Sequence, residues 1–233
     1  MLEVAALNTF YGQAHILTDI ALTVGGNEVV ALLGRNGAGK STTIKSIMGL
    51  VRPRSGSIVY DGEEILGAPA FRVCRLGIGY VPEERRIFTE LTVEENLEVG
   101  RRPARENAPE WTVERLFHLF PNLAERRRQA GGRLSGGEQQ MLTIARTLMG
   151  NPRLVLLDEP SEGIAPLIVE QMARVIAEMK REGLAVLISE QNLHFSRLVS
   201  DRAVIIEKGA VRFAGTFADL DADPEIAKTT LAI

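Results

Sequence analysis

Cysteine is nearly absent: one, Cys74, stands in 233 residues. No internal disulfide can form, and nothing points to an oxidising compartment. Long hydrophobic runs are missing too. Apolar stretches such as Leu184 to Ile188 fall far short of the ~20 residues that span a bilayer. Near the N-terminus Glu3 stands where a signal peptide would carry basic residues ahead of an apolar segment, so none is expected. An excess of positive charge is also lacking. The balance of 27 Lys and Arg against 30 Asp and Glu leaves −3, which argues against a broad nucleic-acid footprint. With 45% hydrophobic and 24% charged residues the chain has the makeup of a globular protein, not a disordered or fibrous one. At ~150 residues per domain, the length suits one large domain or a domain with a subdomain. A cytoplasmic protein is the expectation.

Short apolar runs alternate with helical patterns. Val29 to Leu33, Leu154 to Leu157, Leu184 to Ile188 and Ala203 to Ile206 read as strands buried on both faces of a parallel sheet. Ile168, Met172, Val175, Ile176 and Met179 recur at spacings of three and four and mark one helix face. That helix should end at Glu182-Gly183, where glycine suits a left-handed cap. Strands alternating with helices indicate an α/β fold. Residues 1–28 and 56–66 read as hairpins with turns at Gly25-Gly26 and Asp61-Gly62, and residues 85–145 as a charged, mainly helical subdomain. The acids of Asp219–Asp223 read as a turn. No linker separates two domains, so a single domain over 1–233 is expected.

Two segments carry chemistry. Gly34-Arg35-Asn36-Gly37-Ala38-Gly39-Lys40-Ser41 fits G-x-x-x-x-G-K-[ST] between the Val29–Leu33 strand and a helical run, Thr42 to Leu50. The glycines let backbone N–H groups turn inward around phosphate oxygens, and the helix N-terminus adds its positive end. Lys40 should reach the β- and γ-phosphates, and Ser41 should offer its hydroxyl to Mg²⁺. In Leu154-Val155-Leu156-Leu157-Asp158-Glu159-Pro160, two carboxylates stand at the tip of a buried strand, where ligands collect in open α/β sheets. Asp158 is the expected partner of Mg²⁺, and Glu159 suits a general base for attacking water.

A third segment narrows the class. In Leu134-Ser135-Gly136-Gly137-Glu138-Gln139-Gln140, Ser135 and Glu138 form a capping box, so a helix should run from Ser135 to about Met149. Two glycines leave its first amides bare, making a second anion-attracting helix terminus. One nucleotide does not need two such termini from one chain, so this one suits the nucleotide of a second subunit.

This segment resembles the LSGGQ-type signature of the ATP-binding-cassette ATPases, and the resemblance runs from Tyr11 to the C-terminus. It implies a P-loop (RecA-like) α/β core with an N-terminal antiparallel subdomain and a helical signature subdomain. It implies a head-to-tail dimer, homo- or heteromeric, with ATP and Mg²⁺ between one subunit's phosphate loop and the other's signature. Gly34, Asn36, Gly37, Ala38, Gly39, Lys40, Ser41 and Thr42 would then hold phosphates, and Ser135, Gly136 and Gly137 the γ-phosphate in trans. Tyr11, in Phe10-Tyr11-Gly12, matches the aromatic that stacks on adenine. Tyr80-Val81-Pro82-Glu83-Glu84-Arg85-Arg86-Ile87-Phe88, Leu91-Thr92-Val93-Glu94-Glu95-Asn96-Leu97 and Glu190-Gln191-Asn192 are similar to the LivF-like ATP-binding subunits of branched-chain amino acid importers. Closely similar cassettes serve amides and urea. The resemblance implies permease chains in the membrane as partners, a periplasmic or extracellular binding protein acting indirectly, and a peripheral place on the inner face of the membrane.

Some positions depart from the common cassette pattern. Glu83 stands where most cassettes have Gln in the loop touching Mg²⁺ or water, and Gln191 where most have a switch His. A glutamine can bond a phosphate oxygen but cannot become cationic. His194, three residues on, reads as a helix-face residue, with a substitute switch as the alternative. Ala165 replaces the usual Asp of the loop after Glu159, and Glu162 fits no pattern. Arginine runs such as Arg126-Arg127-Arg128 read as solvated faces, and Arg85 and Arg86 as neighbours of a membrane partner's docking segment. A soluble cassette of DNA repair or translation and an exporter of lipid or polysaccharide are the competing readings. The first class carries coiled-coil insertions, zinc cysteines or tandem cassettes, none of which is seen here.

Overall fold

The computed structural model of the chain describes residues 1–106 and 108–223. The expected domain runs to 233, and its last ten residues lie outside the described ones. In chain order the elements begin β1 (Leu2–Tyr11), β2 (Ala14–Val24), β3 (Val29–Leu33), α1 (Lys40–Ile47), β4 (Ser55–Tyr60), β5 (Glu63–Glu64), α2 (Ala70–Leu76) and β6 (Ile78–Val81). Then come α3 (Val93–Gly100), α4 (Val113–Leu119), α5 (Pro121–Glu125), α6 (Gly136–Leu148), β7 (Leu154–Asp158) and α7 (Pro166–Arg181). The described part closes with β8 (Ala185–Glu190), α8 (Leu193–Val199), β9 (Arg202–Glu207), β10 (Ala210–Thr216) and α9 (Phe217–Ala222).

The main sheet has the order β10-β9-β3-β8-β7-β6, parallel throughout except for β10. Its central strands β3, β7 and β8 are buried at every residue, which is why they read as unbroken apolar runs. The strand period of two then sorts their side chains between two cores. Val29, Ala31, Leu33, Val155, Leu157, Val186 and Ile188 face α3 to α8. Val30, Leu32, Leu154, Leu156, Ala185 and Leu187 face α1, α2 and a second, antiparallel sheet of order β2-β1-β4-β5. The α/β architecture with an antiparallel N-terminal part is as expected.

Three local expectations are corrected and one strand is added. The β1–β2 turn lies at Gly12-Gln13, closed by the Tyr11↔Ala14 pair, whereas Gly25-Gly26 carries the chain from one sheet to the other. The Phe10-Tyr11-Gly12 stretch is thus a hairpin tip, which its aromatic content disguises. Helix α1 starts at Lys40 and ends at Ile47, because the phosphate loop runs straight into its first turn. Asp219 caps α9 in a box with Thr216, so the acids there begin a helix instead of a turn. Strand β6 went unpredicted because it contains Gly79, a weak strand former. A Cβ at Gly79 would sit 2.7 Å from Thr147 Cγ2 of α6, so close helix approach excludes a side chain there. Within 85–145 the helices alternate with irregular links. Thr92 and Thr112 cap α3 and α4, and Pro121 starts α5, as proline's fixed φ allows.

Candidate active site

Parallel pairing brings the C-terminal ends of β3, β6, β7 and β8 to one edge of the sheet, and the polar residues follow there. From β3 the loop 34–39 turns into α1. Gly39 has φ 114°, and a Cβ there would meet Leu17 Cδ2 at 2.7 Å, so only glycine passes. Lys40 is buried, with its ammonium donating to the carbonyls of Gly34 (2.8 Å) and Arg35 (3.2 Å). It also pairs with Glu159 Oε1 at 3.0 Å. Ser41 donates to Asp158 Oδ1 at 2.8 Å.

Asp158 ends β7 and is fully buried. It accepts from Ser189 of β8 on Oδ1 (2.7 Å) and from the Tyr80 hydroxyl of β6 on Oδ2 (3.3 Å). Glu159 follows with φ 45°, a left-handed backbone that a glutamate adopts at a cost of about 1–3 kcal/mol. Its amide holds that turn by donating to the Ser189 carbonyl (3.1 Å) and hydroxyl (3.0 Å). Its carboxylate accepts from Gln191 Nε2 at 2.9 Å. Burial works to raise the Glu159 carboxyl, but hydrogen bonds from Gln191, Glu162 and Lys40 prevail and hold it below the ordinary range. Glu162 is pushed up, first by its hydrogen bond to Glu159, then by burial and by the charges of Glu159, Glu83 and Glu190.

Gly39, Lys40, Ser41, Glu159 and Glu162 line one open cleft of about 420 Å³ with Tyr11, Asn36, Gly37, Thr42 and Glu83. Tyr11, at the hairpin tip, is half exposed, and Glu83 is exposed. Gln191 reaches the cleft through Glu159, whereas His194 points from α8 into solvent and is not among the lining residues. Ser135, Gly136 and Gly137 do not line the cleft either. They open α6, where the capping box forms as its spacing predicts: Glu138 N–H donates to Ser135 Oγ, and Ser135 N–H and hydroxyl donate to Glu138 Oε2. Arg85 connects this terminus to the loop after Glu159. Its guanidinium fills the space a side chain at Gly136 would need, and Nη2 donates to the Glu162 carbonyl at 3.4 Å.

Sequence reasoning missed Ser189, Tyr80 and Glu190. Ser189 and Glu190 follow the apolar run to Ile188, and polar residues at a buried strand's end are the available signal. Glu190 is buried, accepts from the amides of Ser161, Gln191 and Asn192, and is pushed up chiefly by burial. Among the described residues no group of three or more His, Cys, Asp or Glu could hold a metal alone. The oxygens of Ser41 and Asp158 instead suit Mg²⁺, which takes one or two protein ligands and keeps water and phosphate for the rest.

Comparison with known proteins bears on these features. A model described as ABC transporter matches residues 17–162. The high-affinity branched-chain amino acid transport ATP-binding protein BraG of Pseudomonas aeruginosa is 42% identical over 226 residues, covering 97% of each chain. The lipopolysaccharide export system ATP-binding protein LptB of Haemophilus influenzae is 38% identical over 223 residues, covering 95% of this chain and 92% of the other. A solved ATP-binding subunit of an ABC transporter superposes with a TM-score of 0.83 at 31% identity, covering 100% and 96%. No helix of the described residues is long and apolar enough to cross a membrane. Agreement of this extent leaves one assignment: the chain belongs to the ABC transporter family, as an ATP-binding subunit that hydrolyses ATP.

Proposed function

We propose that this subunit powers uptake of branched-chain amino acids through permease chains in the membrane, from the cytoplasmic face. The likeness to BraG over nearly the full length of both chains carries the reading. A second cleft, of about 770 Å³ between α2, β6, α3 and α6, suits the permease's docking segment. Phe71, Phe88 and Val99 stand exposed in it, and Arg146 Nη1 and Arg105 Nε are buried with no partner among the described residues. An amphipathic segment carrying a carboxylate would satisfy both.

In the proposed mechanism, Tyr11 stacks on adenine and the loop from Gly34 to Thr42 wraps the phosphates. Lys40 leaves the Gly34 and Arg35 carbonyls and Glu159 for the β- and γ-phosphate oxygens. Ser41 and Asp158, with Glu83 beside them, would hold Mg²⁺, which supplies charge neutralisation on the phosphates. Glu159, released from Lys40 and still oriented by Gln191, takes a proton from water as that oxygen bonds the γ-phosphorus and ADP departs. The bare amides of Gly136 and Gly137 and the Ser135 hydroxyl face the γ-phosphate of a second cassette subunit. Closure would pass through the Glu83 loop to the permease.

The likeness to LptB supports a second reading, an exporter. Leucine uptake in cells deleted for this gene separates the two. Uptake should fall and return with the wild-type gene but not with Glu159→Gln. Undiminished leucine uptake, with an envelope lipid retained in the inner membrane, would establish the exporter.

A further inference from the structure

Tyr80 is a half-buried phenol that the mechanism above leaves without a task. It stands on β6, in register with Leu156 of β7, one strand from the metal carboxylate. Oδ1 of Asp158 is served twice, by Ser41 at 2.8 Å and Ser189 at 2.7 Å. Oδ2 is served by Tyr80 alone among the described residues, at 3.3 Å. Once Ser41 turns its hydroxyl to the metal, Ser189 and Tyr80 are left holding the carboxylate, one on each oxygen. Two donors on opposite oxygens fix the plane of a carboxylate, whereas one leaves it free to swing.

Tyr80 also lines the second cleft, with Cys74, Phe88 and Arg146. One residue therefore bonds the metal carboxylate through its hydroxyl and lines the docking cleft. We propose that Tyr80 is a positioning residue that orients Asp158 for the metal and links that orientation to the permease segment assigned above to the docking cleft. The proposal rests on the reading of Asp158 as a metal holder.

The test uses Mn²⁺ as the probe, with the full chain saturated by a non-hydrolysable ATP analogue, and reads bound metal by electron paramagnetic resonance. Partners that orient a metal ligand are worth about 10–100-fold in metal affinity. Tyr80→Phe, which keeps the ring in the cleft, should weaken Mn²⁺ about tenfold while leaving metal-free analogue affinity unchanged. A merely structural role would lower the melting temperature and leave Mn²⁺ affinity alone. Mn²⁺ affinity within twofold of wild type would overturn the proposal. If Asp158→Asn also binds Mn²⁺ as the wild type does, the reading of Asp158 itself has failed. The link to the cleft is read from a bimane label on Cys74, the only cysteine in the chain. Binding of Mn²⁺ with the analogue should shift its emission in the Tyr80 protein and not in Tyr80→Phe, since coupling between two sites is reciprocal. An equal shift in both proteins, or none in either, would overturn the link.

Discussion

Lys40 and Glu159 neutralise one another at 3.0 Å in a buried site, and the phosphates must compete with that glutamate for the same ammonium. Lys40→Ala should therefore cost ATP affinity directly. A charge-assisted contact contributes about 1.5–3 kcal/mol, so calorimetry should show Kd rising about 10–100-fold. The same substitution leaves Glu159 buried with Gln191 and Glu162 alone, so the carboxyl should lose part of its downward shift. Gln191 decides the pH behaviour. It reaches Glu159 through an amide, which does not titrate, so steady-state ATPase should stay flat between pH ~6 and ~8. Gln191→His should add an inflection near pH ~6.5. His194 lies exposed on α8 away from the cleft, so His194→Ala should leave the wild-type profile unchanged. A wild-type inflection that His194→Ala abolishes would transfer the switch to His194.

At the scale of elements, the passage from β2 to β3 shows how the two sheets are tied. Glu28 accepts from Gly25 N–H at 2.6 Å and from Arg202 of β9 at 2.7 Å. Burial opposes its ionisation, but the Arg202 hydrogen bond, the Gly25 amide and the Arg202 charge prevail and lower its carboxyl. A lowered carboxyl stabilises the fold above its unfolded pKa of about 4.3, and that stability is lost as pH falls through the folded value. Glu28→Gln should lower the melting temperature at pH 7 by about 2–4 °C, the shift that about 1 kcal/mol produces at this size. The gap between variant and wild type should close below pH about 4. A gap that is unchanged at pH 3 would contradict the assignment.

The elements also show what the sequence makes legible. Strands β3, β7 and β8 were readable because burial on both faces writes an unbroken apolar run. The start of α6 was readable because the Ser135–Glu138 box uses local bonds only. Strand β6 was hidden because Gly79 answers to Thr147, which is 68 positions away and outside any sequence window. Tyr80 and Ser189 were missed for the same reason, since their bonds to Asp158 depend on which strands become neighbours. Glu162 fits no sequence pattern, and the structure places it beside Glu159 in the lining of the cleft.

Across the whole molecule, the phosphate loop and Glu159 line one cleft, with Asp158 buried behind Ser41, and the glycine-led start of α6 lies outside it. An ATP site completed by the α6 terminus of a second subunit accounts for both. Loss of a positioned general base costs about 10²–10⁴-fold in turnover. Glu159→Gln keeps the side chain's shape and removes both the base and the competitor for Lys40. The direct measurement is turnover, bound nucleotide and molar mass of this variant with Mg²⁺ and ATP, beside the wild type. Turnover should fall about 10²–10⁴-fold, ATP should bind at least as tightly, and the variant should be held as a closed dimer with a second cassette subunit. Wild-type turnover from a variant that stays monomeric would contradict the account.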